Sequence, residues 1–426
     1  MLVYKFGGAS INSPEGVCNL GKIVSKCNDN LIVVVSAMGK TTNMLEAVNA
    51  ACFERNTDET LRILSGIEDY HYNMIEGLTE MSNPVREKLK STIASSVNIV
   101  INFIENNKNY DFDYCYGQIV SLGELLSSAI VNEYVNSTVK ISELVDARSF
   151  ITTDSLFREA NVYFDKTEKK LADIFSFRNN VNCYITQGFI GSNPNGDTTT
   201  LGREGSDYSA AIIASLTEAN SLTIWKDVPG VLNADPKLFS ETKLLPELSY
   251  KDAAELSYYG AQVMHQKTIK PLVNKNIPLY VKSFACIELP GTSISSKKRL
   301  QDIPVIAIKK NQILISILPK DFSFALEDVL IENLLILQRY RLKIHLIQST
   351  PLCISFCVDD GRNTRLAIDE LRIDGLVQYN DNLELITIRN YTENLIAQYS
   401  GNREKLIMQR DRSTVRILLK DFCGTP

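Results

Sequence analysis

The chain has 426 residues, 44% of them hydrophobic and 22% charged, with 45 basic against 50 acidic side chains and a formal charge of -5. Such a composition belongs to an ordinary folded protein of two or three domains and excludes a disordered chain. No long basic run is present, which excludes nucleic acid and anionic membrane as partners, and no apolar run approaches the roughly 20 residues of a membrane helix.

The first residues, "MLVYKFGG", lack the basic and apolar regions of a signal peptide, so a cytoplasmic location is expected. "LVYKF" (2–6) reads as the first strand. Ser13, Pro14 and Glu15 then read as an N-cap, a first-turn proline and a dipole-matching acid opening a helix toward Cys27. "LIVVVS" (31–36) is a second, fully apolar strand. From about 57 to 108 the pattern is helical only, with a break at Pro84, and an inserted helical subdomain is expected. Further strands are expected at "VKISELV" (139–145), "NCYITQGFI" (182–190), "SLTIW" (221–225) and "IPLYVKSF" (277–284). Strands alternating with helical segments predict an α/β fold built on a mostly parallel sheet.

After Phe284 the texture changes. "LPGTSISSKKRLQDIP" (289–304) reads as a linker or exposed turn, which divides the chain into residues 1–295 and 296–426. The second part, with a long helix near 322–341 and another near 362–372, has the strand–helix spacing of ferredoxin-like modules. The nine cysteines contain no CxxC pair, and "CISFC" alternates like a strand, so Cys353 and Cys357 are expected to point into a core. Neither Cys nor His clusters with the spacing of a structural zinc site.

"VVVSAMGKTT" looks like the end of a phosphate-binding P-loop, but the position that needs the first glycine is Val34, inside the strand. Three other glycine turns carry polar side chains. "KFGGAS" offers Lys5 beside Gly7, Gly8 and Ser10. "TTTLGREGSDYSAAI" sets Gly202, Arg203, Gly205, Ser206 and Asp207 where a helix begins. "WKDVPGVLNADPK" holds Lys226, Asp227, Gly230, Asp235 and Lys237 on an irregular turn. Each alone reads more simply as a turn or a helix-dipole acid. Loops that follow strands of one parallel sheet converge on its carboxyl edge, however, where ligands bind.

Taken in order, "VYKFGGAS", "VSAMGKTTNML", "VSLGELLSS", "VDARSFITTD", "GFIGSNPNGDTTTLGREGSDYSAAI", "IWKDVPGVLNADPK", "YGAQVMH" and "LPGTSIS" resemble the successive landmarks of aspartate kinase, across nearly all of residues 1–295. The resemblance implies a three-layer α/β/α amino-acid-kinase domain, followed by tandem ferredoxin-like ACT modules with one inserted in the other. It implies transfer of the γ-phosphoryl group of ATP to the β-carboxylate of L-aspartate, with Mg2+ carried on the phosphates. By the same resemblance, Lys5 contacts the transferred phosphate, above the turn of Gly7, Gly8 and Ser10, and Asp207 orients that lysine. Arg203 grips a substrate carboxylate, Ser36 and Thr42 are substrate-side hydroxyls, and Glu124 binds the amino group of aspartate. Lys226, Asp227, Asp235, Lys237 and Gln262 fall where the family holds ATP. No metal ligand is identified. Ser121 and Glu124 also spell an S-x-x-E capping box, which needs no substrate.

The chain departs from the family at several positions. Ala9 stands for a threonine, Gln262 for a common nucleotide-side lysine and Gln266 for a proline; Lys226 or Lys267 is the candidate replacement for the lost charge. His345 and Pro351 stand where relatives present acids to an amino-acid effector, and the second module ends at "VRILLKDFCGTP" without a final helix. A homodimer through the ACT modules is expected, with weak or absent inhibition by lysine. Two rival readings are another amino-acid kinase of the same fold and a non-catalytic sensor built on the ACT assembly.

Overall fold

A computed structural model describes residues 1–109, 111–177, 181–239, 241–259, 264–296, 303–320 and 326–420. The chain forms two compact units, one of residues 1–232, 244–257 and 262–301, the other of residues 233–243, 258–261 and 302–426.

In the first unit β1 (Leu2–Phe6), α1 (Pro14–Ser25), β2 (Leu31–Val35) and α2 (Thr41–Phe53) follow one another, then four helices in series: α3 (Thr57–Gly77), α4 (Asn83–Asn106), α5 (Phe112–Val120) and α6 (Leu122–Thr138). After these come β3 (Ser142–Val145), α7 (Phe164–Ile174), β4 (Cys183–Gln187), β5 (Ile190–Ser192), β6 (Thr198–Thr200), α8 (Gly205–Leu216) and β7 (Ser221–Lys226). The unit closes with β8 (Glu247–Ser249), α9 (Tyr250–Tyr259), α10 (Gln266–Lys275), β9 (Leu279–Ser283) and β10 (Thr292–Ser295). The main sheet has eight strands in the order β3-β4-β2-β1-β7-β9-β10-β8, with only the β9–β10 pair antiparallel. β2, at the interior of that order, is buried at all five positions, as a strand covered on both faces must be.

Local signals explain several boundaries. The Ser13 hydroxyl accepts a hydrogen bond from the Gly16 amide at 3.2 Å, and Pro14 and Glu15 occupy the first turn of α1. The strand expected from residue 139 begins only at Ser142, because α6 continues to Thr138 and Val139 caps it. The helices expected at 57–108 form as α3 and α4, but not as a subdomain with its own core. Ile63, Leu64, Ile67, Met74, Ile75, Leu89, Ile93, Val97 and Val100 join the same apolar cluster as Leu31, Val33 and Val35 of β2. Amphipathic helices need an apolar surface to cover, and here the sheet layer supplies it.

The second unit carries a six-stranded sheet in the order β12-β13-β11-β14-β16-β15, with every adjacent pair antiparallel. Its elements are β11 (Val305–Pro319), α11 (Leu326–Arg339), β12 (Ile344–Thr350), β13 (Cys353–Asp359), α12 (Arg362–Asp374), β14 (Gly375–Arg389), α13 (Glu393–Ser400), β15 (Lys405–Arg410) and β16 (Thr414–Lys420). β11 and β14 are long strands paired end to end, from Val305 with Arg389 to Pro319 with Gly375. Their register breaks between Lys309 and Leu314, where Asn311 has φ 55°. Beyond the break, the second half of β11, α11, β12, β13, α12 and the first half of β14 make one β-α-β-β-α-β module. The outer halves, with α13, β15 and β16, make another around it. β16 is the last described element, and Phe322 to Ala325 lie outside the described residues.

Cys357 is buried as expected, but Cys353, beside the β12–β13 turn, is only partly covered; the eight described cysteines are all free. His345 is buried on β12, its Nε2 3.0 Å from Asp359 Oδ2 and its Nδ1 3.1 Å from Lys309 Nζ. Among the described residues no helix is long and apolar enough to cross a membrane.

Candidate active site

β1 and β7 lie side by side in parallel, with Lys5 opposite Ile224 and Phe6 opposite Trp225. Side chains alternate along a strand, so this register puts Lys5 and Lys226 on one face and Tyr4, Phe6 and Trp225 on the other. The aromatic face is locked. The Phe6 and Trp225 rings stack at 6.2 Å between centroids, and Tyr4 meets Trp225 edge-on at 5.8 Å.

On the opposite face α8 packs against β1 and β7, and its first turn delivers Asp207 to both lysines. Lys5 Nζ is 2.6 Å from Asp207 Oδ1, and Lys226 Nζ is 3.2 Å from Oδ2. Asp207 is 2% exposed, which rules out a plain helix-dipole role for it. Burial raises its carboxyl pKa, but the charges of Lys5 and Lys226 outweigh that and hold it below the ordinary value. The acid is fully desolvated, and its second oxygen bridges to Lys226, a half-buried lysine at the edge of the cluster.

The turn after β1 supplies backbone to the same place. Gly7 lies beside the Lys5 ammonium, and a Cβ on Gly8 would lie 2.2 Å from the Ala37 carbonyl oxygen, so only glycine at position 8 allows the approach of these two loops. The Gly39 amide donates to the Gly8 carbonyl at 3.0 Å, and the buried Ser10 closes its turn through its amide to the Gly7 carbonyl. The loop after β2 therefore lies against the loop after β1. It carries Ser36, whose amide donates to the Phe6 carbonyl, and leads to Thr42, half-buried in the first turn of α2.

Glu124 comes to this loop from α6. Its Oε1 accepts from the Ala37 amide at 3.2 Å across 87 residues of sequence, and Gly123 lets the helix approach, since a Cβ there would meet that of Ala37 at 2.8 Å. The capping-box alternative fails, because Ser121 makes no side-chain cap and its hydroxyl instead donates to the Gln118 carbonyl. Glu124 is fully buried, Oε2 has no hydrogen-bond partner, and desolvation pushes the carboxyl up to about 8 despite the Ala37 amide and the charge of Lys5. A buried carboxylate oxygen left open is costly unless something arrives to pair with it.

Arg203 is exposed on the turn before α8, between Gly202 (φ 75°) and Glu204 (φ 53°). Asp227 is exposed just past β7. Asp235 and Lys237 belong to the segment that groups with the second unit, where the Asp235 carboxylate accepts from the Lys237 amide at 2.9 Å. Gln262 lies outside the described residues. The first unit thus gathers Lys5, Gly7, Gly8, Ser10, Asp207 and Lys226 around β1 and β7, with Ser36 on the adjoining loop and Glu124 of α6 held against it.

Sequence reading passed over Glu204. It sits at the N-cap of α8, its Oε2 is shut from solvent without a hydrogen-bond partner, and burial pushes its carboxyl up against the pull of Lys226. The available signal was an acid set between two glycines of a phosphate-type turn.

The sequence pattern of the amino acid kinase family matches residues 1–283. The chain is 28% identical over 398 residues to an aspartokinase of Chlamydia pneumoniae, covering 91% of this chain and 85% of that one. It is 33% identical over 301 residues to a chloroplastic bifunctional aspartokinase/homoserine dehydrogenase 1 of Arabidopsis thaliana, covering 68% of this chain and about a third (32%) of the longer protein. The crystal structure of Escherichia coli aspartokinase III in complex with aspartate and ADP superposes with a TM-score of 0.82 at 25% identity, covering 98% of this chain and 96% of that one.

Proposed function

The chain belongs to the amino acid kinase family, and we propose that it is an aspartate kinase, transferring the γ-phosphoryl group of ATP to the β-carboxylate of L-aspartate. The observation that carries the reading is Glu124, a buried acid on α6 with one oxygen unpaired, held against the loop that adjoins the Lys5–Asp207–Lys226 cluster. An acceptor that satisfies it must bring a cation, as the α-ammonium of aspartate does and an N-acetylated amino acid does not.

The reaction breaks the bond between the γ-phosphorus and its bridging oxygen and forms one from a β-carboxylate oxygen to that phosphorus, with ADP leaving. A carboxylate is already a nucleophile at neutral pH, so no general base is required. The protein's work is to hold two anions together and neutralise charge on the transferring group. Lys5 takes the transferred phosphoryl oxygens, and Asp207 fixes its ammonium in place. Lys226 adds a second positive charge, and the amides of the Gly7–Ser10 turn line the approach. Glu124 seats the substrate ammonium, Arg203 the α-carboxylate, and Ser36 and Thr42 contribute hydroxyls. Among the described residues no group of three or more His, Cys, Asp or Glu side chains could hold a metal ion. Mg2+ would enter on the nucleotide, keep most of its waters and neutralise phosphate charge.

Self-association through the second unit, and weak inhibition by lysine, belong to the same proposal. His345, where relatives present an acid, is occupied by Lys309 and Asp359. The test is ATP turnover with aspartate, glutamate, N-acetylglutamate or no acceptor, trapping the acyl phosphate with hydroxylamine. Turnover with aspartate alone supports the reading; turnover preferring N-acetylglutamate, or none at all, overturns it. Strong inhibition by sub-millimolar lysine would overturn the regulatory part.

A further inference from the structure

Among the groups that the mechanism leaves unused, Glu204 is the one inside the phosphate cluster. Its backbone is left-handed, φ 53° and ψ 29°, a conformation that glycine adopts freely and a long L-side chain only at a cost. The strain is held by the turn on both sides. Gly202 has φ 75°, and a Cβ on Gly205 would strike the Phe189 ring at 2.7 Å, so α8 can begin only here. This geometry directs the Glu204 carboxyl inward, where Oε2 is closed to solvent and accepts no hydrogen bond.

The charges acting on it come from four places: Lys226 at the end of β7, Asp207 in the first turn of α8, Arg203 on its own turn and Lys5 on β1. Before nucleotide binds, Lys5, Lys226 and Arg203 face two acids in this cluster. A polyphosphate sets further negative charge against those acids, about one net charge as MgADP and about two as MgATP. Asp207 cannot relieve the excess by taking a proton, since it is paired to both lysines and its carboxyl is held down. Glu204, half-buried with its Oε2 closed to solvent and without a donor, is the acid that can.

We infer that Glu204 is a proton-accepting residue of the phosphate pocket: it is ionised opposite Lys226 in the free enzyme and takes up one proton as nucleotide binds, turning from a repelling carboxylate into an O–H donor. This rests on the phosphoryl-transfer reading of the cleft and deepens it. The proton comes from solvent, forms one O–H bond on the Glu204 carboxyl, and no other bond changes. Burial already favours the protonated form, since desolvation raises the carboxyl pKa against the lowering influence of Lys226.

Binding of MgADP, without aspartate, tests the idea. Titration calorimetry in buffers of different ionisation enthalpy counts protons taken up, and the dissociation constant is followed from pH 6 to pH 9. Glu124, on α6, also feels Lys5, so the count is repeated in a Glu124→Gln background. In the wild type a proton is taken up, and MgADP weakens by up to about tenfold per pH unit where Glu204 titrates. Glu204→Gln, a permanent donor of the same size, takes up less by about one proton and binds more tightly at pH 8. Glu204→Gly removes the acid and the backbone strain together; it gives the same loss of proton uptake and an unfolding midpoint no lower than the wild type. Equal proton uptake in wild type and either variant overturns the inference, with the phosphate site intact. Failure of wild-type enzyme to bind MgADP at all overturns the parent reading instead.

Discussion

Glu124 stores an instability that substrate is meant to relieve, and its replacement by glutamine exposes both sides of that bargain. The carboxyl is fully buried and its pKa rises from 4.5 to about 8. Between those two values the unfolded chain ionises while the folded chain must keep its proton. The unfolded state therefore binds fewer protons, and stability falls as pH rises through this window. At 1.36 kcal/mol per pKa unit the penalty is about 2 kcal/mol at pH 6 and about 4 kcal/mol at pH 8, a burial cost that Glu124→Gln does not carry. Urea unfolding of wild type and variant without ligand, at pH 5, 6, 7 and 8, reads it directly. The variant gains on the wild type by about 2 kcal/mol between pH 6 and pH 8. With substrate the balance reverses, because the ammonium of aspartate pairs with the ionised form. For a group titrating at about 8, the aspartate KM of the wild type falls about fivefold from pH 7 to pH 8. Glu124→Gln raises that KM by about 10- to 200-fold, the worth of a charged hydrogen bond. Parallel unfolding profiles, together with an aspartate KM that the substitution leaves unchanged, would refute the reasoning.

Asp207→Asn takes from the buried Lys5 the carboxylate it pairs with. It is expected to destabilise the fold by about 3–5 kcal/mol and to lower kcat by about 10²–10³-fold, measured by denaturant unfolding and hydroxamate formation. Gly8→Ala drives a Cβ to within 2.2 Å of the Ala37 carbonyl, so it should part the two loops, abolish turnover and lower Tm, whereas Gly361→Ala, with nothing within 4 Å and extended backbone, should spare turnover. His71 is buried on α3 and its pKa is depressed from 6.5 to about 4. The unfolded chain takes a proton first on acidification, so about 3 kcal/mol of stability is lost as pH falls from 6.5 to 4. In His71→Phe, unfolding followed over that range should lack this component.

Much of this site is written in local sequence. "LIVVV" reads as a strand covered on both faces, Ser13-Pro14-Glu15 as the opening of a helix, and Gly8 permits a loop contact that a Cβ would forbid. What sequence cannot supply is who meets whom across the fold. Glu124 and Ser121 spell a capping box, and only the approach of α6 to Ala37 shows the acid facing a loop 87 residues away. Asp207 reads equally well as a helix-dipole acid until the β1–β7 register puts Lys5 and Lys226 beneath it. The helices at 57–108 look separable because their period is self-contained; their apolar faces turn out to complete the sheet's own core. The long β11 and β14, shared by two modules, are hidden because polar residues at the bulge near Asn311 and at Asp381–Asn382 split each apolar run into two short ones.

The two open acids impose opposite proton linkages on one active site. Glu124 must lose a proton to hold the substrate ammonium, and Glu204 must gain one to tolerate phosphate, and both feel Lys5. Aspartate should therefore bind better, and nucleotide worse, as pH rises through neutrality, so the two KM values should move in opposite directions across pH 6 to 8. When both ligands are bound the transfers partly cancel, and kcat should vary less with pH than either KM. Removing one acid breaks the cancellation in a defined sense: Glu204→Gln leaves only the release of a proton, Glu124→Gln only the uptake. Two KM profiles of the same sign in the wild type would mean that a single titrating group governs the cleft, and the assignment of separate acids to separate ligands would fall.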